Sequence, residues 1–164
     1  DTGARFERWI LDNPAPPTFA KAVGFKTNID RWSEFEYVAP GAVLQWTGAL
    51  ETGRDAQRNQ NQEGAFSIRL FHGVTPETES TCHYFWSAAN GYRQDDPKAG
   101  QELYDDFAAT FLEDKAFLET QQATIMRAPD RPLDTRSQDK AVALARRALD
   151  RMIEEDQAVA SAAE

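Results

Sequence analysis

One carboxylate in this sequence stands where a charge is costly. At about 100° per residue, Asp114 falls on the same helical stripe as Leu103, Phe107, Phe111, Leu118, Gln121 and Ile125, so it is expected to point inward. A carboxylate there gives up hydration that only a cation, a metal ion or several hydrogen bonds can replace. Two roles stay open at this point: a structural pair, with an Arg from a neighbouring sheet for instance, or a functional carboxylate. Glu113 and Lys115 flank it on other faces and read as surface charges.

Two histidines could complete a set of metal donors. His72 continues the face of Phe66, Ile68 and Leu70, and a hairpin centred in the Thr75 to Ser80 loop would set His83 roughly across from it. Two imidazoles and the Asp114 carboxylate match the donor types of a facial triad, but their spacing follows no established motif. A hydrogen-bonded place in a core or pocket is the commoner role of an isolated histidine.

The elements that must position these side chains are legible as strands, then helices. Ala4 to Leu11 has strand composition and runs into Asn13, Pro14, Pro16 and Pro17, where a loop is expected. Trp32 to Ala39 and Ala42 to Leu50 meet at Pro40-Gly41 as two strands about a tight turn. Glu51 to Gly64 is polar, rich in Gly, Asn and Gln, and aperiodic, which predicts an exposed loop. Gly64 to Val74 alternates with the period of a half-buried strand, and Thr81 to Ala88 returns beside it. From Pro97 to Met126 the period becomes helical. A second helix is predicted to start at a capping box in Thr135-Arg136-Ser137-Gln138, with Val142, Ala145, Leu149 and Met152 on its packed face and a fraying tail over Gln157 to Glu164. The fold class is therefore α+β, one domain, with an antiparallel sheet laid against a long helix. Segregation of strands from helices argues against a βαβ nucleotide-binding fold, and no Gly-rich phosphate loop is present.

Composition narrows the partners. The 164 residues carry 18 Lys and Arg against 27 Asp and Glu, a formal charge of -9, which is the wrong sign for a nucleic-acid backbone. No apolar run is long enough to span a bilayer and Asp1 to Phe6 lacks a signal-peptide pattern, so a soluble, cytoplasmic protein is expected. Cys82 is the single cysteine, which fits a reducing compartment and reads as a structural thiol. The chain starts without Met and with a strand already in progress, so a piece of a longer polypeptide is expected.

Two stretches resemble a known family. His72-Gly-Val-Thr-Pro-Glu-Thr-Glu-Ser-Thr-Cys-His-Tyr-Phe-Trp86, followed by Phe111-Leu-Glu-Asp-Lys-Ala-Phe-Leu-Glu-Thr-Gln-Gln122, looks like the oxygenase components of Rieske-type non-haem iron aromatic oxygenases of the vanillate O-demethylase and dicamba monooxygenase kind. Arg8-Trp9 before the proline loop, Trp32 at the opening of a strand and the Arg-rich terminal helix support the match, which covers nearly the whole chain. The resemblance implies a helix-grip catalytic domain, here incomplete, with a mononuclear Fe(II) held by two histidines and one aspartate. It makes Asp114, within Glu-Asp-Lys, the metal ligand, and places both histidine ligands and the Rieske [2Fe-2S] cluster in a part that this chain does not contain.

It also implies that His72, and less securely Gln45, contact the substrate, so that His72 is a pocket donor rather than a ligand. Further implications are an aromatic substrate such as a substituted benzoate, O2, electrons from NAD(P)H through a reductase or ferredoxin, and a homotrimer. On this reading the chain by itself is inactive. The competing expectation is a helix-grip carrier of a hydrophobic ligand without metal, which would want Asp114 replaced by an apolar residue or paired with Arg.

Overall fold

The computed structural model describes residues 3–58, 60, 63–132, 136 and 139–162. Its five strands fall on the segments read as strands in the sequence: β1 (Gly3–Asn13), β2 (Ile29–Val38), β3 (Ala42–Glu51), β4 (Phe66–Pro76) and β5 (Cys82–Asn90). They form one antiparallel sheet in the order β1-β2-β3-β4-β5, a meander in which each strand pairs with the next in sequence. Helix α1 (Pro17–Val23) precedes β2, and α2 (Pro97–Arg127) and α3 (Lys140–Ala162) follow the sheet.

The segment between β1 and β2 was expected to be loop and instead contains the short helix α1. Pro17 takes the first helical position, where its missing N–H costs nothing, and Gly24 closes the helix at φ 73°, its N–H bonded to the Ala20 carbonyl. Phe19 thereby stacks on Phe66 at 3.9 Å between ring centroids. The inner face of the sheet carries Ala49, Phe66, Ile68 and Leu70, all buried, with Ala99 and Leu103 of α2 packed against them. Phe66, Ile29 and Ile68 are among the largest fully buried side chains.

The opposite face holds a second, smaller core of Trp32, Leu50, Ala56 and Ala65, with Trp9 against it. Ala56 belongs to the segment expected to be exposed throughout, yet it is buried, because the loop folds back over Trp32 while Asp55, Gln57 and Arg58 face water. Gly48 sits under Trp32, and a Cβ added there would collide with the indole ring. Helix α3 packs on β1 through Ala148, which is fully buried, with Ala141, Ala145, Leu149 and Met152 part-buried beside it. Val142, expected on that face, is 48% exposed. The helix continues to Ala162 rather than fraying from Gln157. Thr135, Ser137 and Gln138 of the expected capping box lie outside the described residues.

Helix α2 starts where Asp96 accepts a hydrogen bond from the Lys98 N–H at 3.0 Å, with Pro97 next to it. Arg93 ties this start down by pairing with both Asp96 and Glu102. Only the first half of the helix meets the sheet. Leu103 is 3% exposed, whereas Leu112, Phe117 and Leu118 are 67%, 71% and 59% exposed.

Candidate functional site

The inner face is apolar at the Phe66 end and polar at the other. Side chains alternate along each strand, and the registers Val43↔His72, Gln45↔Leu70 and His72↔Trp86 put Gln45, His72, Tyr84 and Trp86 on the same side of the sheet as Leu70. His72 is held from both sides: Nδ1 is 2.6 Å from the Tyr84 hydroxyl and Nε2 is 3.1 Å from Gln45 Oε1. Gln45 Nε2 in turn donates to Thr47 Oγ1 at 2.9 Å, and Thr47 donates to Ser33 Oγ at 3.2 Å.

Helix α2 closes one side of this group with aromatic rings. Phe111 meets His72 edge-on at 5.9 Å, Tyr84 at 5.7 Å and Trp86 at 5.0 Å. Phe107 stacks on Phe111, and Tyr104 stacks on Trp86 at 5.2 Å. Asp114 lies three residues beyond Phe111, on the part of the helix that runs past the sheet. Burial, and then the nearby Asp114 charge, push the Tyr84 phenol above its ordinary value. Tyr84 thus neighbours both His72 and Asp114.

Of the residues that sequence reasoning named, the structure brings His72 and Gln45 together and sets Asp114 one helical turn beyond Phe111, and it adds Tyr84, which the sequence reading did not single out. Its signal was present: Tyr84, Trp86 and Ala88 alternate as His72, Leu70 and Ile68 do, and only the register between the two strands was needed to bring Tyr84 to His72.

Three expectations need correction, for Asp114, His83 and Cys82. Asp114 does not point into an apolar interior but is exposed, as Leu118 on the same stripe is at 59%. His72 and Tyr84 accordingly lie on an open face, Tyr84 being 43% exposed, rather than in an enclosed cavity. Asp114 forms no hydrogen bond or ion pair among the described residues. The second correction concerns His83, which pairs with Thr75 instead of His72 and so projects from the opposite face. It is exposed there, with Nε2 3.6 Å from Glu77. The turn sets this register, through bonds from the Glu77 and Thr78 N–H groups to the Thr81 carbonyl. The three-residue metal set of His72, His83 and Asp114 is not assembled, and no group of three or more His, Cys, Asp and Glu able to hold a metal occurs among the described residues. Cys82 is exposed rather than structural. No helix among the described residues is long and apolar enough to cross a membrane.

Burial holds the His72 imidazole below the ordinary histidine value. The unfolded chain therefore takes up this proton first as pH falls, so the contribution of His72 to stability is intact above pH ~6.5 and is lost as pH drops through the lower, folded-state pKa. The melting temperature of the native chain should exceed that of His72→Gln by a margin that narrows between pH ~7.5 and pH ~5.5. A margin that is constant or widens on acidification would contradict a neutral His72.

A five-stranded meander that grips the first half of a long helix is a helix-grip-like α+β domain, the architecture of the catalytic domain of dicamba monooxygenase. The crystal structure of that enzyme bound to 3,6-dichlorosalicylic acid matches 96% of this chain and 46% of its own with a TM-score of 0.81 at 23% identity. Another of its structures, with non-haem iron and dicamba, matches the same 96% of this chain and 48% of its own with a TM-score of 0.69 at 21% identity. The chain belongs to the vanillate O-demethylase oxygenase C-terminal domain family, whose model matches residues 1–155. A vanillate O-demethylase oxygenase subunit from a Pseudomonas species is 30% identical over 159 residues, 94% of this chain and 47% of that protein. An iron-sulfur subunit of the toluene-4-sulfonate monooxygenase system of Comamonas testosteroni is 27% identical over 146 residues, 89% of this chain and 42% of that protein. The chain thus spans about half the length of the curated relatives it matches.

Proposed function

We propose that this chain is the C-terminal part of the catalytic domain of a Rieske-type oxygenase that O-demethylates or hydroxylates an aromatic substrate such as a substituted benzoate. The observation that carries this reading is the match of residues 1–155 to the vanillate O-demethylase oxygenase C-terminal domain family, with the aromatic rings gathered around His72 on the inner face in support. Asp114 fits it by position, one helical turn from those rings and near Tyr84, and being exposed it needs no ionic partner within the chain.

A mononuclear non-haem iron, when bound, supplies the dioxygen activation that no protein side chain can. Asp114 fits as one oxygen donor to it, and since no set among the described residues completes the site, on this reading the two histidine ligands come from another part of the enzyme. His72 and Gln45 hold the polar group of the substrate. Phe107, Phe111 and Trp86 form an apolar wall against its ring and exclude water. With a methoxy substrate, one oxygen atom of O2 enters a methyl C–H bond and the other leaves as water with two electrons and two protons. The resulting hemiacetal collapses to a phenol and formaldehyde. The electrons come from NAD(P)H through a reductase or ferredoxin and a Rieske [2Fe-2S] cluster in an N-terminal part, and the complete enzyme is a homotrimer.

The 164-residue chain alone should take up no stoichiometric Fe(II) and show no oxygenase activity, since one exposed carboxylate does not hold a divalent transition metal. Titration with Fe(II) under anaerobic conditions checks this. One tightly bound iron per chain would overturn the assignment of the other ligands and return His72 to candidacy as a ligand.

A further inference from the structure

Arg-Trp occurs twice in the sequence, at Arg8-Trp9 and Arg31-Trp32, and the fold sets the two side by side. Trp9 and Trp32 are register partners on the outer face, their rings 5.5 Å apart, so the arginines that precede them both project from the inner face. There Arg8 lies opposite Ser33 and Arg31 opposite Ile10, which makes the two arginines diagonal neighbours. Arg8 is exposed, whereas Arg31 is half-buried, and its Nε–H is shut off from solvent without an acceptor. Neither arginine forms a hydrogen bond or ion pair among the described residues.

The acids of the adjoining strands do not answer them. Glu7, Asp30, Glu34 and Glu36 alternate to the outer face, where Glu34 holds Arg5 at 2.6 Å and Asp30 accepts from the Asp12 N–H at 2.9 Å. Asp12, beyond the register shift after Ile10, accepts from the Asn28 amide at 3.0 Å, and Glu51 accepts from the Lys26 N–H at 2.6 Å. In a chain of net charge -9, the inner face over Phe6 to Ile10 and Ile29 to Phe35 thus carries two cations and no carboxylate. A guanidinium stays charged at any working pH, so a buried Nε–H without an acceptor costs stability until an anion is supplied, and the neighbouring cation adds repulsion.

We infer that Arg31, with Arg8 beside it, is an anion-receiving site, filled in the complete enzyme by a carboxylate side chain from a part of the polypeptide outside this chain. A carboxylate suits the fork, since its two oxygens can take the Nε–H and an Nη–H together. The substrate does not reach it. Tyr37 is level with His72 across β3, and Arg31 stands six positions further along β2, about 20 Å at the rise of a strand. The inference rests on the reading of the chain as part of a longer oxygenase: it matches 47% of a vanillate O-demethylase oxygenase subunit, so more than half of such a polypeptide remains to provide the acid.

Thermal unfolding of Arg31→Leu in two contexts tests the site, because the sign of the effect should reverse between them. In the 164-residue chain, Leu removes an unanswered N–H and keeps an apolar stem, so Tm should stay level or rise. In the complete oxygenase the same change strands the partner carboxylate, so Tm should fall by about 5 °C or more. Arg31→Lys, which keeps the charge without the fork, should recover part of that loss. A fall of equal size in the chain alone would show that Arg31 is satisfied without the rest of the enzyme and overturns the proposal, as does an unchanged Tm in the complete oxygenase. Self-association of the native chain that Arg31→Leu abolishes would put a second copy on this face. A rise in Tm with sodium acetate, seen in the native complete enzyme and not in Arg31→Leu, would mean that the site stays open to small anions. Either result overturns a protein carboxylate as the occupant. None of these readouts uses iron or substrate, so the proposal can fail with the oxygenase reading intact, and the reverse.

Discussion

Phe66→Ala should destabilise the chain by about 3–5 kcal/mol, the usual cost of emptying a fully buried aromatic site. Phe66 is 0% exposed and stacks on Phe19 at 3.9 Å and on Tyr92 at 5.1 Å. It thereby ties α1, β4 and the approach to α2 together, and three separate segments lose their common contact when it is removed. The neighbours cannot close the gap, because Ile68, Ala49 and Leu103 around it are themselves buried on fixed elements. Against a total stability of about 5–15 kcal/mol, such a loss is a large fraction. Equilibrium denaturation by urea measures it, with Phe117→Ala as the control: Phe117 is 71% exposed, and its truncation should stay within about 0.5 kcal/mol of neutral. A Phe66→Ala penalty below ~1 kcal/mol would mean that this core does not organise the sheet.

The same residue links stability to the site. Phe66, Ile68, Leu70 and His72 follow one another on one face of β4, and the strand register that buries Phe66 is the register that sets His72 against Gln45 and Tyr84. Loosening β4 would therefore disturb the hydrogen-bonded run before it abolished the fold.

Composition and turn residues marked four of the strands, whereas period-two alternation made β4 legible and period 3.6 made α2 legible, because both periods report which side chains share a face. Neither reports how much of a face is covered. Asp114 lies on the same stripe as Leu103 and Phe111, yet Leu103 is 3% exposed and Asp114 is open to solvent. The inference from stripe to burial failed there for that reason. His83 illustrates a second limit. A hairpin's register depends on the bonds within its turn, and the arrangement at Glu77 to Thr81 sends His83 to the opposite face from His72. Helix α1 was overlooked because seven residues among prolines show no periodicity, although Pro17 at its start and Gly24 after its end were the available signals. The family resemblance, carried by the stretches from His72 to Trp86 and from Phe111 to Gln122, had set aside His83 as a ligand on grounds independent of register.

Iron content is the property on which the account depends most directly. In the assembled oxygenase that contains this chain, Asp114→Ala should leave the mononuclear site essentially empty, since it removes the carboxylate from a set of two imidazoles and one carboxylate, and the remaining pair holds Fe(II) poorly. His72→Ala should keep its iron and instead weaken binding of the aromatic substrate by about tenfold or more, because it removes an N–H donor without touching a metal ligand. Metal analysis corrected for the iron of the [2Fe-2S] cluster, alongside substrate titration of both variants, separates the two roles. The account predicts loss of mononuclear iron in Asp114→Ala alone; full iron occupancy in Asp114→Ala, or equal loss in His72→Ala, would contradict it.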